Sequence, residues 1–264
     1  MATYNCETSV AKAIDSVLAQ TFTDWEFVIC DDCSTDGTWD ILKDYSRRLP
    51  DKFVLLRNER NSKLPFSLNH CLQHASGELI ARMDGDDISL PERFERQVDY
   101  LACHPEYAVV GTSMTRFDEK GEYDKYEAVK DPDRFSLLTQ VPFCHATIMM
   151  RKSVYEALGG YVVSRRTERG QDLDLWFRFY AKGFSGNNLS DSLYKVCEDR
   201  AAIRRRKFKY DLYMTQTRFM GFHMLHYPWW YYPYALKPII SHFVPRWLKL
   251  RLRRRISGSS GASH

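Results

Sequence analysis

The sequence lacks the glycine motifs of two large nucleotide-binding classes. No Gly-x-Gly-x-x-Gly occurs, which argues against dinucleotide oxidoreductases, and no Gly-x-x-x-x-Gly-Lys-Ser/Thr occurs, which argues against P-loop enzymes. A sugar nucleotidyltransferase would also show a Gly-rich loop containing Lys or Arg near its N-terminus, and none is present here. Any nucleotide is therefore held by a different set of side chains.

Long apolar runs and secretory features are also missing. No uninterrupted apolar stretch approaches the roughly 18 residues of a spanning helix, so we expect no bilayer crossing. Met1 leads directly into Ala-Thr-Tyr-Asn, so we expect no signal peptide. The 7 cysteines show no framework spacing, which favours reduced thiols in a cytoplasmic protein. Cys30 and Cys33 form a CxxC, but the two aspartates between them disfavour a thiolate and argue against redox chemistry.

Acidic residues are almost absent from the C-terminal part of the chain. Residues 1–199 hold 24 Lys or Arg against 33 Asp or Glu, a net charge of −9. Residues 200–264 hold 14 against 1, a net charge of +13. Such a basic end suits an anionic partner, and phospholipid headgroups are one such partner. The acidic body gives no reason to expect nucleic acid.

The first half of the chain alternates between helical and strand patterns. Short apolar strands that alternate with helices predict a mostly parallel sheet with helices on both faces. In such α/β sheets ligands bind beyond the carboxyl ends of the strands. The predicted helices are 8–21, 36–48, 66–76, 91–102 and 171–182, and the predicted strands are 27–30, 54–56, 79–83, 108–111 and 147–150.

Two carboxylates follow the predicted strand 79–83. Asp84 and Asp86 are two residues apart, so strand periodicity can point both side chains the same way. Carboxylates this close repel unless a cation joins them. Mn²⁺ or Mg²⁺ is the natural occupant, because it prefers oxygen ligands and commonly shares its shell with a substrate phosphate. The alternative is a solvated acidic turn, with Asp87 capping the following segment.

Acids also occupy two other element boundaries. Asp31 and Asp32 end the predicted strand 27–30, where an acid can accept hydrogen bonds from a base or a ribose. The alternative there is an ordinary turn, with Asp36 capping the next helix. Asp172 starts the predicted helix 171–182, where the helix dipole alone favours an acid.

Five segments in order resemble the family 2 glycosyltransferases of the GT-A fold. The resemblance covers residues 2 to about 185 and implies a Rossmann-like α/β fold with a mixed, mostly parallel sheet. It also implies a nucleotide-sugar donor, a divalent metal and inversion of the anomeric centre in one displacement. The segments are 3–5, 16–22, 31–36, 84–87 and 171–176.

The resemblance implies a donor pocket at the start of the chain. Thr3, Tyr4 and Asp32 are expected to hold the base of a nucleoside diphosphate, with uridine as the expected base. Asp31 is expected to lie beside them. Asp84 is expected to face the ribose or the sugar.

The resemblance also implies the reacting groups. Asp86 is expected to bind the metal that bridges the diphosphate, and Asp172 to act as the general base for the acceptor hydroxyl. Asp87 and Gln171 are expected beside the donor or acceptor pocket. His145 matches a position near the donor pocket that is often His, and its alternative is a hydrogen-bonded structural residue.

The start of the chain departs from the family pattern. Ala2 stands where many relatives have Pro, and Cys33 stands where Gly is common. Relatives have an apolar strand of about five residues before the Thr-Tyr-Asn segment, and here Met1 and Ala2 precede it. We expect either a start further upstream or a less stable sheet without this central strand.

The C-terminal part mixes aromatic and basic residues. Segments 204–209, 227–234 and 243–255 combine Tyr or Trp with Lys or Arg, a mixture that suits the headgroup interface of a membrane. The alternative is a helical appendage that packs on the catalytic domain. We predict a catalytic domain at 1–200, a membrane-associating segment at 201–256, and a disordered Gly/Ser-rich tail at 257–264.

These observations predict a peripheral protein on the inner face of the cytoplasmic membrane. It would transfer a sugar from a nucleotide-sugar donor, expected to be a UDP-sugar. The expected acceptor is a saccharide or lipid-linked saccharide in cell-surface polysaccharide biosynthesis. The alternative is a non-catalytic nucleotide-sugar-binding or scaffold relative, against which the intact Asp84, Asp86 and Asp172 argue.

Overall fold

The computed structural model describes residues 1–198 and 207–244. The predicted tail 257–264 and the parts of segment 201–256 beyond 207–244 lie outside the described residues. The strands are β1 (Ala2–Thr3), β2 (Phe27–Asp31), β3 (Phe53–Arg57), β4 (Leu79–Ala81), β5 (Ile88–Ser89), β6 (Val109–Asp118), β7 (Gly121–Tyr126), β8 (Met149–Arg151) and β9 (Gly186–Cys197). The helices are α1 (Val10–Leu18), α2 (Thr38–Arg48), α3 (Leu64–His74), α4 (Arg93–Cys103), α5 (Ser136–Thr139), α6 (Lys152–Leu158), α7 (Gln171–Ala181), α8 (Phe208–Met224) and α9 (Lys237–Phe243). Three 3₁₀ turns lie at His145–Thr147, Arg165–Thr167 and Trp229–Leu236.

Every helix and strand predicted from periodicity forms, with ends shifted by a few residues. In α1 the buried residues Val10, Ala13, Ile14 and Val17 follow helical spacing, and they turn one face of the helix toward the core. Every residue of β2 is buried, which explains its continuous apolar run. The strand β7 was not predicted because its residues are mostly exposed and polar.

The strands form two sheets. In the first, β1-β2-β3, all pairings are parallel, as in the register Phe27↔Phe53. The second has the order β4-β8-β6-β9-β5, with β7 also paired to β6, and is mainly antiparallel. The predicted parallel arrangement therefore holds for the first sheet and for the β6–β9 pair. The tight turn between β6 and β7 cannot make a parallel crossover, which needs a dozen or more residues.

A cavity of about 710 Å³ lies between β2 and β4. The Met1 amino group donates to the Val28 carbonyl at 2.7 Å, and the Cys30 N–H donates to the Met1 carbonyl at 2.9 Å. Met1 and β1 therefore lie beside the last residues of β2. The cavity lies beside Met1, and the family pattern described above has an apolar strand before this position. Its apolar lining includes Val17, Leu68, Leu72, Phe94, Val98 and Met149.

The described part of the C-terminal segment packs on the body. Phe222 of α8 is fully buried, and its ring centroid lies 5.9 Å from that of Phe177 in α7. Gly221 permits this approach, because a Cβ there would lie 2.2 Å from the Phe177 ring. Buried Arg218 donates to the Leu137 carbonyl at 2.8 Å and ties α8 to α5. Residues 207–244 thus share a core with the catalytic body, as the packing alternative expects. Within the described residues no helix combines the length and apolar character needed to span a membrane.

We expect an engineered apolar strand to stabilise the protein. Five β-branched residues placed before Met1 are expected to extend β1 into the cavity and to bury their side chains there. Burial contributes about 1.5–3 kcal/mol per side chain, against about 1–2 kcal/mol per ordered residue. Thermal unfolding is expected to shift upward by about 5 °C. A Gly/Ser extension of equal length is the control, and an equal shift with both extensions would contradict a strand-shaped site.

Candidate functional site

The carboxyl ends of β2 and β4 meet at one edge through β1. Ala2 pairs with Cys30 of β2 and forms an isolated bridge with Asp84, which follows β4. Thr3 pairs with Asp31 in the same register. A Cβ on Gly85 would lie 3.2 Å from the Thr3 side chain, so the 84–87 loop packs directly against this strand end. The structure therefore brings the acids predicted at 31–32 and at 84–87 to the same edge.

Asp31 holds the turn that follows β2. Its buried carboxylate accepts hydrogen bonds from the Ser34 N–H at 3.0 Å and the Ser34 hydroxyl at 2.5 Å. The Thr3 hydroxyl donates to it at 3.4 Å, and the Arg57 Nε lies 3.3 Å away. These contacts fix the turn beside the predicted base pocket. These contacts also hold the backbone of Cys33 at φ 60°. Most residues are strained in this conformation, whereas Gly adopts it readily.

Asp32 holds the next loop. Its buried carboxylate accepts from the Asn58 side-chain amide at 2.7 Å, the Ser62 N–H at 2.8 Å and the Lys63 N–H at 2.9 Å. A carboxylate offers about four acceptor positions, so capacity for one further donor remains. Tyr4 is 48% exposed at the mouth of the same edge. Asp32 and Tyr4 thus border one surface, with the loop 58–63 held against it.

Three of the four non-glycine residues with positive φ in the described chain lie here. Asn5 (φ 50°), Cys33 (φ 60°) and Lys63 (φ 74°) occupy the three loops around this edge. Such backbone costs of order 1–3 kcal/mol per residue, and it persists where surrounding contacts impose it. Strained backbone that clusters in this way is typical of ligand sites.

The acids of the 84–87 loop have three different environments. Asp84 accepts from the Arg82 guanidinium at 2.6 Å, and its N–H donates to the Tyr194 hydroxyl at 3.2 Å. Asp87 is buried and accepts from the Cys197 N–H at 2.8 Å; burial, then the charges of its neighbours, raise its pKa to about 8. Asp86 is exposed, and the surrounding protein together with Asp84 raises its pKa. Asp86 is therefore the most exposed carboxylate of this loop, with Asp84 partly exposed and Asp87 buried.

The site fits a metal whose shell is completed by substrate. Within residues 1–198 and 207–244 no group of three His, Cys, Asp or Glu side chains could enclose a metal ion. One exposed carboxylate, Asp86, is a suitable ligand for Mg²⁺ or Mn²⁺ when phosphate oxygens supply further positions. The donor set is thus compatible with a diphosphate-bound metal and not with an all-protein cage.

Asp172 lies in the first turn of α7. Its carboxylate accepts from the Leu173 N–H at 2.8 Å, and burial raises its pKa; the Arg82 charge lowers this pKa and the Asp84 charge raises it. The charges of Arg82 and Asp84 thus influence the pKa of Asp172 at the start of α7. Asp174 differs, because Arg166 at 2.6 Å and Arg178 at 2.8 Å hold it in ion pairs. Gln171 has a buried side-chain oxygen without a hydrogen-bond partner among the described residues.

His145 lies inside the wall of the site. Its Nε2 is 2.9 Å from the Tyr161 hydroxyl, and its ring centroid is 5.8 Å from that of Trp176. Burial holds the pKa of His145 well below its ordinary value, so the ring is neutral. These contacts match the structural alternative. Its Nδ1 is buried without a hydrogen-bond partner in the described part of the chain.

The sequence analysis missed Arg82. Its side chain is 4% exposed at the end of β4 and is ion-paired with Asp84. The signal was available, because a basic residue interrupts the apolar run 79–83 directly before the acids. The loop 58–63 was also missed, since its contacts with Asp32 run through backbone N–H groups that no side-chain pattern reveals.

The two sheets, with acidic residues at one edge, form a GT-A glycosyltransferase fold. The sequence profile described as Glycosyl transferase family 2 matches residues 1–159. The chain therefore belongs to glycosyltransferase family 2.

Bacterial glycosyltransferases are among the relatives of this chain. The chain is 46% identical over 245 residues to the "Putative glycosyltransferase EpsE" of Bacillus subtilis (strain 168), covering 93% of this chain and 88% of that protein. It is 32% identical to the "O-antigen biosynthesis glycosyltransferase WbnJ" of Escherichia coli, over 73% of this chain and 76% of that one. A third relative is the "UDP-Glc:alpha-D-GlcNAc-diphosphoundecaprenol beta-1,3-glucosyltransferase WfaP" of Escherichia coli. It is 23% identical to this chain, over 79% of this chain and 80% of that protein.

Solved structures share the fold. TarS residues 1–349 of S. aureus with UDP-GlcNAc superposes with a TM-score of 0.67 at 20% identity, over 82% of this chain and 63% of that one. The mannosyltransferase PcManGT of Pyrobaculum calidifontis with GDP-Man and Mn2+ superposes with a TM-score of 0.60 at 19% identity. The superposition covers 97% of this chain and 78% of that one. At these identities the likeness concerns the fold alone.

Proposed function

We propose that this protein is an inverting, metal-dependent glycosyltransferase. It moves a sugar from a UDP-sugar to a saccharide or lipid-linked saccharide in cell-surface polysaccharide biosynthesis. The proposal rests on the family 2 match and on the strand end at which β1 brings the loops that contain Asp32 and Asp86 together. The raised pKa of Asp172, which the Arg82 and Asp84 charges also influence, supports it. The uridine donor and lipid-linked acceptor named for WfaP, and the UDP-GlcNAc bound by TarS, support this substrate class.

The base of the donor binds at Asp32 and Tyr4. The remaining acceptor capacity of the Asp32 carboxylate takes a base N–H, and the exposed Tyr4 ring offers a stacking surface. Thr3 and Asp31 shape the pocket from below through the turn at 31–34. The ribose and sugar then lie toward Asp84.

Asp86 would hold the divalent metal. Mn²⁺ or Mg²⁺ there would supply positive charge to offset the charge that develops on the departing diphosphate, an effect worth several kcal/mol. The exposed position of Asp86 leaves its carboxylate free for this role, whereas Asp87 is committed to the Cys197 N–H.

Asp172 removes the proton from the acceptor hydroxyl. The acceptor oxygen attacks the anomeric carbon as the bond to the diphosphate oxygen breaks, which inverts the anomeric centre. The proton passes to the Asp172 carboxylate, whose raised pKa makes it a stronger base than an exposed aspartate.

Donor hydrolysis tests the roles of Asp86 and Asp172 without a known acceptor. UDP-sugars and GDP-sugars are incubated with Mn²⁺ or Mg²⁺ and released nucleoside diphosphate is measured. Wild type is expected to release UDP only with metal. Asp86→Ala is expected to abolish release, and Asp172→Asn to lower transfer by about 10²–10⁴-fold once an acceptor is found.

The matched control is Asp191→Asn, because Asp191 is a surface acid paired with Arg96 at 2.9 Å and is expected to retain full activity. Metal-dependent nucleotide binding without turnover in any variant would favour the alternative of a non-catalytic nucleotide-sugar-binding relative. A folded protein that binds neither UDP nor GDP with metal would contradict both.

The rate should depend on pH through Asp172. The base must be ionised, and burial raises its pKa above the ordinary value of about 4. Activity is therefore full above the raised pKa and is lost as pH falls through it, at a higher pH than for an exposed aspartate. A profile of kcat/KM measured from about pH 4 to about pH 8 checks this. An acid limb at the ordinary aspartate value would contradict the buried base.

We also propose that residues 207–244 contact the inner face of the cytoplasmic membrane. Two Trp side chains are the centre of the exposed apolar surface, with Trp229 79% and Trp230 57% exposed. Ile240 and Phe243 of α9 are likewise exposed. No Asp or Glu follows Asp211 in the sequence, and Asp211 itself is buried beside His242 at 2.9 Å. An aromatic surface without acids suits an anionic lipid interface.

Vesicle sedimentation tests this contact. The protein is expected to bind vesicles that contain phosphatidylglycerol more strongly than neutral phosphatidylcholine vesicles, with each nearby Lys or Arg adding roughly 1 kcal/mol. Trp229→Ser with Trp230→Ser is expected to remove most binding. The control, Val129→Ser with Val163→Ser, changes two exposed apolar residues elsewhere and is expected to have no effect. Equal binding by both double variants would contradict the assignment.

A further inference from the structure

Exposed cations gather at the start of α8. The Lys209 ammonium lies 4.9 Å and the Arg169 guanidinium 4.8 Å from the centre of the Tyr210 ring, so the two charges are no more than about 10 Å apart. Lys207, the residue before α8, is also exposed. Neither Lys209 nor Arg169 has a carboxylate partner in the part of the chain that the structure describes. Like charges at this distance repel each other, and an anion placed between them relieves the repulsion.

These cations lie next to the first turn of α7, which contains the proposed base. A Cβ on Gly170, the residue before α7, would lie 3.8 Å from the Met214 side chain, so α8 packs against the start of α7. Arg169 precedes Asp172 by three residues, a backbone span of at most about 11 Å. The distance between Arg169 and the proposed base is therefore on the scale of one sugar residue.

Exposed apolar rings border the same cations. The ring centroid of Phe208 lies 5.0 Å from that of His242 and 5.8 Å from that of Phe243, so the end of α9 packs on the start of α8. Phe208 is 38% exposed and Phe243 is 72% exposed. The start of α8 thus combines cations beside α7 with open aromatic surface beside α9. This combination suits a ligand that joins an anionic group to a hydrocarbon chain.

We propose that this surface binds the phosphate of a lipid-linked acceptor. The phosphate lies between the cations, and the first carbons of the lipid lie on the two Phe rings, so the attached sugar extends toward Asp172. The acceptor class is then a saccharide joined to its lipid through a phosphate or a diphosphate. This inference rests on the proposed function and names the group by which the acceptor is held. The basic-aromatic surface consists of Lys207, Phe208, Lys209, Arg169 and Phe243.

Phospholipid headgroups offer the same phosphate chemistry, but the position of the cations favours the acceptor. Arg169 is three residues from the proposed base. The most exposed aromatic pair, Trp229 and Trp230, follows the other end of α8, a helix about 25 Å long. Cations that served only a membrane surface would have no reason to lie at the start of α7.

Calorimetric titration with octyl diphosphate, kept below the concentration at which it forms micelles, tests the proposal. Wild type is expected to bind it. Arg169→Gln with Lys209→Gln is expected to bind at least about tenfold more weakly, because two charge-assisted contacts to phosphate are lost. The control is Arg47→Gln with Arg48→Gln, which removes two exposed cations from α2, one of them 5.2 Å from the Tyr45 ring centre. It is expected to bind like wild type.

Sedimentation with phosphatidylglycerol vesicles separates the acceptor from bulk lipid. The Arg169 and Lys209 double variant is expected to keep most of its vesicle binding, because Trp229 and Trp230 remain. Loss of vesicle binding with unchanged affinity for octyl diphosphate would assign these cations to phospholipid and overturn the proposal.

Two further results would also overturn it: no binding of octyl diphosphate to wild type, or equal losses in the α2 control. If the double variant does not fold by circular dichroism, Lys209→Gln alone decides, with an expected loss of about three- to tenfold. Absence of metal-dependent UDP binding to wild type would contradict the proposed function instead, while the titration with octyl diphosphate still reports on the basic-aromatic surface.

Discussion

The two residues of β1 join the two sheets of the molecule. Ala2 pairs with Cys30 on one side and bridges Asp84 on the other, and Thr3 pairs with Asp31. This short strand brings the end of β2 and the loop after β4 to one edge. A cavity lined by Met1 lies beside the same two strands. The site is built where β1 joins the two sheets.

Electrostatics then divides the acids of the site into two groups. Asp31 and Asp84 lie beside Arg57 and Arg82, and Asp174 lies between two arginines. These paired acids shape loops and helix contacts. Asp86 and Asp172 have no ion-pair partner among the described residues. Burial raises the pKa of Asp172, and the surrounding protein together with the Asp84 charge raises that of Asp86. Groups with perturbed pKa values near a ligand edge are typical of chemistry, and these are the two carboxylates that the proposed mechanism uses.

Much of the fold could be predicted from the sequence because its first half is strongly periodic. The buried run of β2 and the apolar face of α1 have clear patterns, and the acids that follow β2 and β4 mark the ligand edge. The packing of α8 could not be predicted in this way. Its burial against Phe177 depends on the absence of a side chain at Gly221, a tertiary contact between residues distant in sequence. Arg82 interrupts the apolar run 79–83 and so marks itself as unusual, but the sequence does not say that its partner is Asp84.

Hydrogen exchange of the backbone amides, read by mass spectrometry with and without UDP and Mn²⁺, tests the central claim most directly. The account predicts that ligand slows exchange in three separate segments together, 31–36, 58–63 and 84–87, and leaves 227–243 unchanged. These segments lie around one edge of the sheet, so a single ligand bound there would protect the amides of all three. Protection confined to another part of the described chain, or to one of these segments alone, would contradict a single nucleotide site at the β1 junction.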